Sequence, residues 1–103
     1  MNLPSTLGIT ATVQIGNSDD KLTQSEWSAF QSAAWATIQL WAGVIHFEGH
    51  SAPMVSWQNA CWVFEIQDAN LTHLRGALAN VARRYRQDSI ALTLGVTEFV
   101  TPP

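Results

Sequence analysis

Two histidines and a glutamate fall close together in the sequence, at positions 46, 48 and 50. His46 and His50 have side chains that titrate near neutral pH, and Glu48 or the later Glu65 could orient one of them. These residue types support two kinds of chemistry, general acid–base catalysis and binding of a metal ion. The stretch from His46 to Glu65 also contains the only cysteine and two of the tryptophans. We therefore expect any functional site to lie in this stretch.

A metal ion bound by all three residues is not expected, because the segment is typical of a β-strand. Strand residues four positions apart are separated by about 13 Å, whereas the ligands of one metal ion lie about 2–2.5 Å from it. Only neighbours such as His46 and Glu48 could share an ion, unless Gly49 introduces a bulge. We predict no metal ion and no cofactor. An acid–base pair stays open, and so does the simpler interpretation as polar side chains at a sheet edge.

Alternating apolar and polar residues predict four β-strands. Residues 6–15 and 89–100 alternate with a period of two, which is typical of a strand with one buried face. Two further runs form a hairpin within the stretch from His46 to Glu65, on either side of a turn-prone connection that contains Pro53.

Two helices are predicted between the strands. Thr23 and Glu26 form a capping box at the start of the first helix, and Gly43 ends it. Asp68 or Asn70 caps the second helix, whose last turn contains several arginines. Cations there suit the negative end of the helix dipole, so we interpret the arginine cluster as structural, with phosphate or nucleic-acid contact as the alternative.

Length and composition limit the class of protein. The 103 residues fit one domain, and 47% apolar with 13% charged residues is typical of a compact globular fold. The net charge is -3, and four of the five Lys and Arg residues fall in one short stretch, so nucleic-acid binding is unexpected. No apolar run approaches the roughly 20 residues needed to cross a bilayer, and no signal sequence is visible, so we expect a soluble cytoplasmic protein.

The order strand, helix, strand, strand, helix, strand predicts an α+β fold of the ferredoxin-like type, βαββαβ. Right-handed crossovers give a four-stranded antiparallel sheet in the order 4-1-3-2, with both helices on one face. We call the other face of the sheet the open face. It is expected to carry Thr10, Thr12, Gln14, Thr93 and Thr97.

The hairpin side chains should alternate between the helices and the open face. In the first hairpin strand, Ile45 and Phe47 are expected to face the helices. This leaves His46, Glu48 and His50 on the open face. In the second strand we prefer the register that buries the larger side chains, although a slip of one residue would exchange the two faces. The candidate binding or acid–base residues are His46, Glu48, His50, Trp57, Asn59 and Glu65.

Two classes of function remain, a binding protein and an enzyme. An uncovered apolar face usually binds a partner, so we expect a homodimer or higher oligomer. The leading hypothesis is a small non-enzymatic interaction protein that self-associates through its open face or a tryptophan-rich surface, and that could bind a small-molecule ligand. The alternative is a dimeric α+β barrel enzyme. Its pocket between sheet and helices would use His46, Glu48, Trp57 and Asn59 on a small apolar substrate. The oligomer-interface candidates are Trp35, Leu40, Val44 and Val63.

Two segments resemble those of uncharacterised small ferredoxin-like proteins. The residues from Tyr85 to Thr93, with Gly95 and the ending from Thr97 to Val100, resemble a recurring helix-to-strand junction in such proteins. The helix start from Ser25 to Phe30 is similar to theirs as well. These proteins occur as accessory genes, including mobile and cassette-borne ones, and have no assigned activity. The resemblance therefore implies a fold but no functional residue, because the hairpin departs from their glycine- and acid-rich pattern.

Overall fold

A computed structural model describes residues 8–17 and 21–103 of the chain. The elements in order are β1 (Ile9–Gly16), α1 (Gln24–Trp41), β2 (Ile45–His50), β3 (Asn59–Ile66), α2 (Asp68–Arg84) and β4 (Ala91–Gly95). Each strand is antiparallel to its neighbours in the order β2-β3-β1-β4, which reads 4-1-3-2 from the opposite edge. The α+β class with a four-stranded antiparallel sheet and two helices is confirmed. Residues 6 and 7 of the predicted first strand lie outside the described residues.

One apolar core joins the helices to the sheet. Its members recur at every second residue along β1 and β3 and at helical spacing along α1 and α2. Because these side chains form a single cluster, both helices lie on the same face of the sheet. The preferred register of β3, which buries the larger side chains, is confirmed. The buried residues are Ala11, Val13, Ile15, Trp27, Phe30, Ala34, Ile38, Ala60, Trp62, Phe64, Ile66, Leu71, Leu74, Leu78 and Val81, together with Leu22.

The predicted capping box starts α1. The backbone N–H of Glu26 donates to Thr23 Oγ1 at 3.1 Å, and the backbone N–H of Thr23 donates to Glu26 Oε1 at 3.0 Å. Arg86, just beyond α2, donates from Nη2 to Glu26 Oε2 at 2.9 Å. The helix ends at Trp41 with Ala42 as its C-cap, so it stops slightly before the predicted Gly43. The cap therefore fixes where α1 begins and ties it to the end of α2.

Glu26 makes the stability of the protein depend on pH. The backbone N–H of Thr23 and the guanidinium of Arg86 favour the charged carboxylate and hold its pKa below the ordinary value of 4.5. The unfolded chain keeps the ordinary pKa, so this stabilisation is present above that value and is lost as pH falls through the lower folded pKa. We expect the urea midpoint of the wild type to fall more than that of Glu26→Gln between about pH 6 and pH 3, measured by circular dichroism. Equal falls in both proteins would contradict this assignment.

A β-bulge interrupts the expected alternation in β2. Ile45 lies opposite Phe64, whereas Phe47 lies opposite Val63, so His46 is the extra residue. Since Val63 faces away from the helices, the bulge turns Phe47 onto the open face. The prediction that Phe47 faces the helices is therefore wrong.

The same bulge also moves the side chains that follow it to the opposite face of the sheet. Glu48 lies opposite Trp62, and His50 lies opposite Ala60, so both point to the helix side of the sheet. The prediction that these two residues share the open face with His46 is wrong. The bulge also brings the Phe47 ring over Gly49, where an added Cβ would lie 2.5 Å from Phe47 Cζ.

The chain leaves β4 at Gly95 and crosses the open face. Thr97 Oγ1 forms a hydrogen bond with Thr10 Oγ1 of β1, and the Phe99 ring lies 6.2 Å from the His46 ring of β2. We call residues 96–100 the C-terminal segment. The predicted final strand is wrong beyond Gly95, because Thr10 is the last residue of β1 with which β4 pairs. The open face is consequently covered at one end.

Candidate functional site

His46 and Glu65 lie together on the open face. The bulge projects His46 there, and Glu65 points the same way because its neighbours Phe64 and Ile66 face the core. His46 Nε2 lies 3.0 Å from Glu65 Oε1. Of the predicted candidate residues, these two are the pair that the structure joins by a hydrogen bond between side chains.

Two threonines extend this pair into a hydrogen-bonded chain. Thr10 Oγ1 donates to Glu65 Oε1 at 2.9 Å. Because a hydroxyl has one proton to donate, Thr97 is the donor in its bond with Thr10. A carboxylate only accepts, so His46 donates to Glu65 from Nε2. We call Thr10, His46, Glu65 and Thr97 the open-face cluster.

The open-face cluster is partly shielded from water by the C-terminal segment. Glu65 is only 8% exposed, and the Phe99 ring meets the His46 ring edge to face at 68°. With Nε2 engaged, His46 keeps Nδ1 as its other polar atom. That nitrogen can accept a hydrogen bond, so the arrangement can orient a histidine for acid–base chemistry or for contact with a partner.

The open-face cluster has few of the other groups that catalysis or metal binding needs. Cys61 lies on the same face, but it is four residues along β3 from Glu65, which is about 13 Å by strand spacing. Within residues 8–17 and 21–103, no three His, Cys, Asp or Glu side chains come close enough to hold a metal ion. Among the described residues, the geometry thus offers an oriented histidine with no cysteine close enough to act as its nucleophile.

Glu48 and His50 form a separate site beside α1. They line a small concavity of about 180 Å³ whose aromatic wall is Trp35 stacked on Trp62, with ring centroids 6.3 Å apart. His50 Nδ1 lies 2.9 Å from the carbonyl oxygen of Ser51. The concavity is smaller than the roughly 300 Å³ at which ligand pockets usually begin. The sheet separates this site from the open-face cluster.

Trp57 and Asn59 organise the connection between β2 and β3. Asn59 Nδ2 donates to the carbonyl oxygen of Trp57 at 3.0 Å, and the Asn59 backbone N–H donates to Ser51 Oγ at 3.0 Å. Asn59 is six residues along β3 from Glu65, about 20 Å by strand spacing. The structure therefore places neither of these candidates in the open-face cluster, although the Trp57 side chain is largely exposed.

The predicted interface residues are distributed over both sides of the molecule. Trp35 is half buried in its stack with Trp62, Leu40 is 76% exposed on α1, and Val63 is half buried on the open face. Val44 is exposed directly before β2. Two exposed phenylalanines were not among the predicted interface residues. Phe47 is exposed by the bulge, and Phe99 was assigned to the final strand.

A buried polar cluster beneath the β2–β3 connection was also missed. The Asn17 side chain accepts from the Leu22 backbone N–H at 3.0 Å and donates to the Leu22 carbonyl at 3.1 Å. Asn17 Nδ2 also donates to Gln58 Oε1 at 3.2 Å, and Gln58 exchanges two hydrogen bonds with Gln24. These amides join three segments of chain, yet no periodic pattern in the sequence marks them.

Comparison with known proteins identifies no relative. No protein-family model matches the chain, and no curated protein or solved structure is significantly similar to it. Neither of the two helices in the described part of the chain has the length and apolar character needed to cross a membrane. The function is therefore inferred from the geometry of the site, and the resemblance to cassette-borne proteins stays a prediction.

Proposed function

We propose that this protein is a small non-enzymatic binding protein that self-associates as a homodimer through its open face. The observation that carries this function is a pair of exposed phenylalanines beside His46 on that face. Phe47 is 52% exposed and Phe99 is 74% exposed. Exposed apolar patches usually mark binding surfaces, and aromatic side chains are enriched in protein interfaces.

A ferredoxin-like arrangement supports this function, and we infer it from three observations. The elements follow the βαββαβ order, β1 and β3 are the central strands, and both helices lie on one face. Such a sheet leaves one face without helices, and that face is the surface assigned to the dimer.

The hydrogen bonding of the open-face cluster also favours burial of this face. Thr97 and Thr10 already donate within the cluster, so a partner can cover these two hydroxyls without leaving an unpaired donor. In a two-fold dimer each protomer contributes the same patch. The interface would therefore bury two copies of Phe47 and two copies of Phe99. His46 Nδ1 and Glu65 Oε2 are the atoms of the cluster without a hydrogen bond to a described residue, and donors of the second protomer can bond to them.

Substitution of Phe47 by aspartate tests the dimer. We expect the wild type to sediment as a dimer at micromolar concentration and Phe47→Asp to weaken the dimer roughly a thousandfold, because a central aromatic residue is lost from both protomers. Analytical ultracentrifugation measures the change, and circular dichroism confirms that the variant is folded.

Leu40→Asp is the matched control, since Leu40 is 76% exposed but lies on α1 rather than on the open face. We expect this variant to remain dimeric. A wild type that sediments only as a monomer would overturn the proposed function. So would a dimer that Leu40→Asp dissociates and Phe47→Asp does not, because the helix surface would then be the interface.

The enzyme alternative is favoured by one observation, the 3.0 Å contact that orients His46 through Glu65. A carboxylate-bound histidine with a second ring nitrogen can act as a general base. A crystal structure of the dimer would distinguish the binding protein from the enzyme. An enclosed apolar cavity over His46 would support an enzyme, whereas full coverage of His46 and Phe47 by the partner would exclude it.

A further inference from the structure

A groove separates α2 from the edge strand β4, on the helix side of the sheet and away from the open face. Its volume is about 660 Å³, within the range of roughly 300–1,000 Å³ that is usual for ligand sites. Its apolar lining includes Leu78 and Ala82 of α2 and Leu92 and Leu94 of β4. Leu94 is partly exposed, so this apolar surface meets water.

The strand beside the groove has an unpaired edge. β4 pairs with β1 along one side, and no strand in the described part of the chain pairs with its other side. The N–H and C=O groups on that side can form hydrogen bonds with another extended chain. Every second side chain of a strand added there would lie over the groove.

Two arginines of α2 indicate the charge of the occupant. Arg75 and Arg83 line the groove and are exposed, and neither forms an ion pair with any described residue. One carboxylate, Asp88, also lines the groove, so its formal charge is positive. An anionic group is therefore the complementary partner.

The spacing of the arginines matches an extended chain. Arg75 and Arg83 are eight residues apart on α2, which is about 12 Å along a helix axis. Residues four positions apart on one face of a strand are separated by about 13 Å. Two acidic side chains four positions apart could therefore reach both arginines. The residue midway between them would lie over Ala79, whose small side chain leaves room for an apolar group.

We propose that this groove binds an extended peptide segment of a partner protein, added as a fifth strand beside β4. The segment carries two acidic residues four positions apart, with an apolar residue midway between them. This surface is separate from the open face, so the peptide could bind while the protein is dimeric.

Fluorescence anisotropy with a synthetic peptide tests this site. The probe is a labelled threonine-rich peptide in which two glutamates four positions apart flank a central leucine. We expect saturable binding, weakened about fivefold by Arg75→Gln and about fivefold by Arg83→Gln, the upper range for exposed ion pairs. The double variant should lose about 25-fold, since distant sites are additive. Arg84→Gln is the matched control, because Arg84 is an exposed neighbour outside the groove lining.

Two modified peptides test the strand pairing and the spacing. N-methylation on the edge that faces β4 should abolish binding. A peptide with glutamates three positions apart keeps only one of them on the groove side, so it should bind about fivefold more weakly than the probe. No binding of the probe, an equal loss with Arg84→Gln, or undiminished binding of every N-methylated peptide would overturn the inference. The inference would also fail if the wild type were a dimer and the Leu94→Asp variant a monomer. A second copy of the chain, rather than a peptide, would then occupy this edge.

Discussion

Phe30→Ala is expected to destabilise the protein by about 3–5 kcal/mol, the usual effect of removing a buried phenylalanine ring. Phe30 is buried in the core and joins the two helices. Its ring stacks on Tyr85 at the end of α2 with centroids 5.2 Å apart and meets Trp27 edge to face at 6.0 Å. Because a domain of this size is stable by only about 5–15 kcal/mol, much of the folding free energy would be lost.

Urea unfolding followed by circular dichroism measures this effect. Ser28→Ala is the matched control, because Ser28 is exposed on the same helix and should change stability by less than about 0.5 kcal/mol. A loss below about 1 kcal/mol in Phe30→Ala would mean that Phe30 does not link α1 to α2 as the structure describes.

Asn17→Ala should destabilise the protein by about 2–3 kcal/mol, because it leaves buried polar groups without partners. The Leu22 backbone N–H and C=O both bond to the Asn17 side chain, and Leu22 is buried. The Gln58 side chain also loses one of its donors. No sequence pattern singles out Asn17, so the expected effect follows from the structure alone.

Asn80→Ala provides the comparison for Asn17→Ala. Asn80 is exposed on α2, and its side chain bonds only to Arg83 in the described structure. Its substitution should change the urea midpoint little, whereas Asn17→Ala should lower it clearly. Hydrogen exchange gives a second readout, since the Leu22 amide should lose protection in Asn17→Ala. Equal losses of unfolding free energy in the two variants would show that the buried amide cluster stabilises the protein no more than an exposed side chain does.

Local signals in the sequence predicted the elements well. The alternation in β1 and β3 identified the buried faces, and the Thr23 and Glu26 pair located the start of α1. These patterns succeed because they depend on neighbouring residues, which share one backbone geometry. The final strand was overextended because alternation continues past Gly95, whereas strand length depends on a partner elsewhere in the chain.

The open-face cluster was predicted only in part, because its geometry depends on the register of β2 against β3. Glu65 and His46 were among the candidates, but the bulge at His46 has no glycine or proline to mark it. A shift of one residue moves every later side chain to the other face, which is why Glu48 and His50 were misplaced. The groove beside β4 depends on how α2 sits against the sheet, which no local pattern reveals.

The position of the Phe47 ring over Gly49 bears on how readily a dimer could form. The ring occupies the space that a side chain at position 49 would fill, so glycine at that position lets Phe47 take this rotamer. A free aromatic side chain loses conformational entropy when an interface immobilises it, and that loss weakens association. A side chain at position 49 would turn the ring away from this position, so Gly49 is a second residue on which the proposed dimer depends.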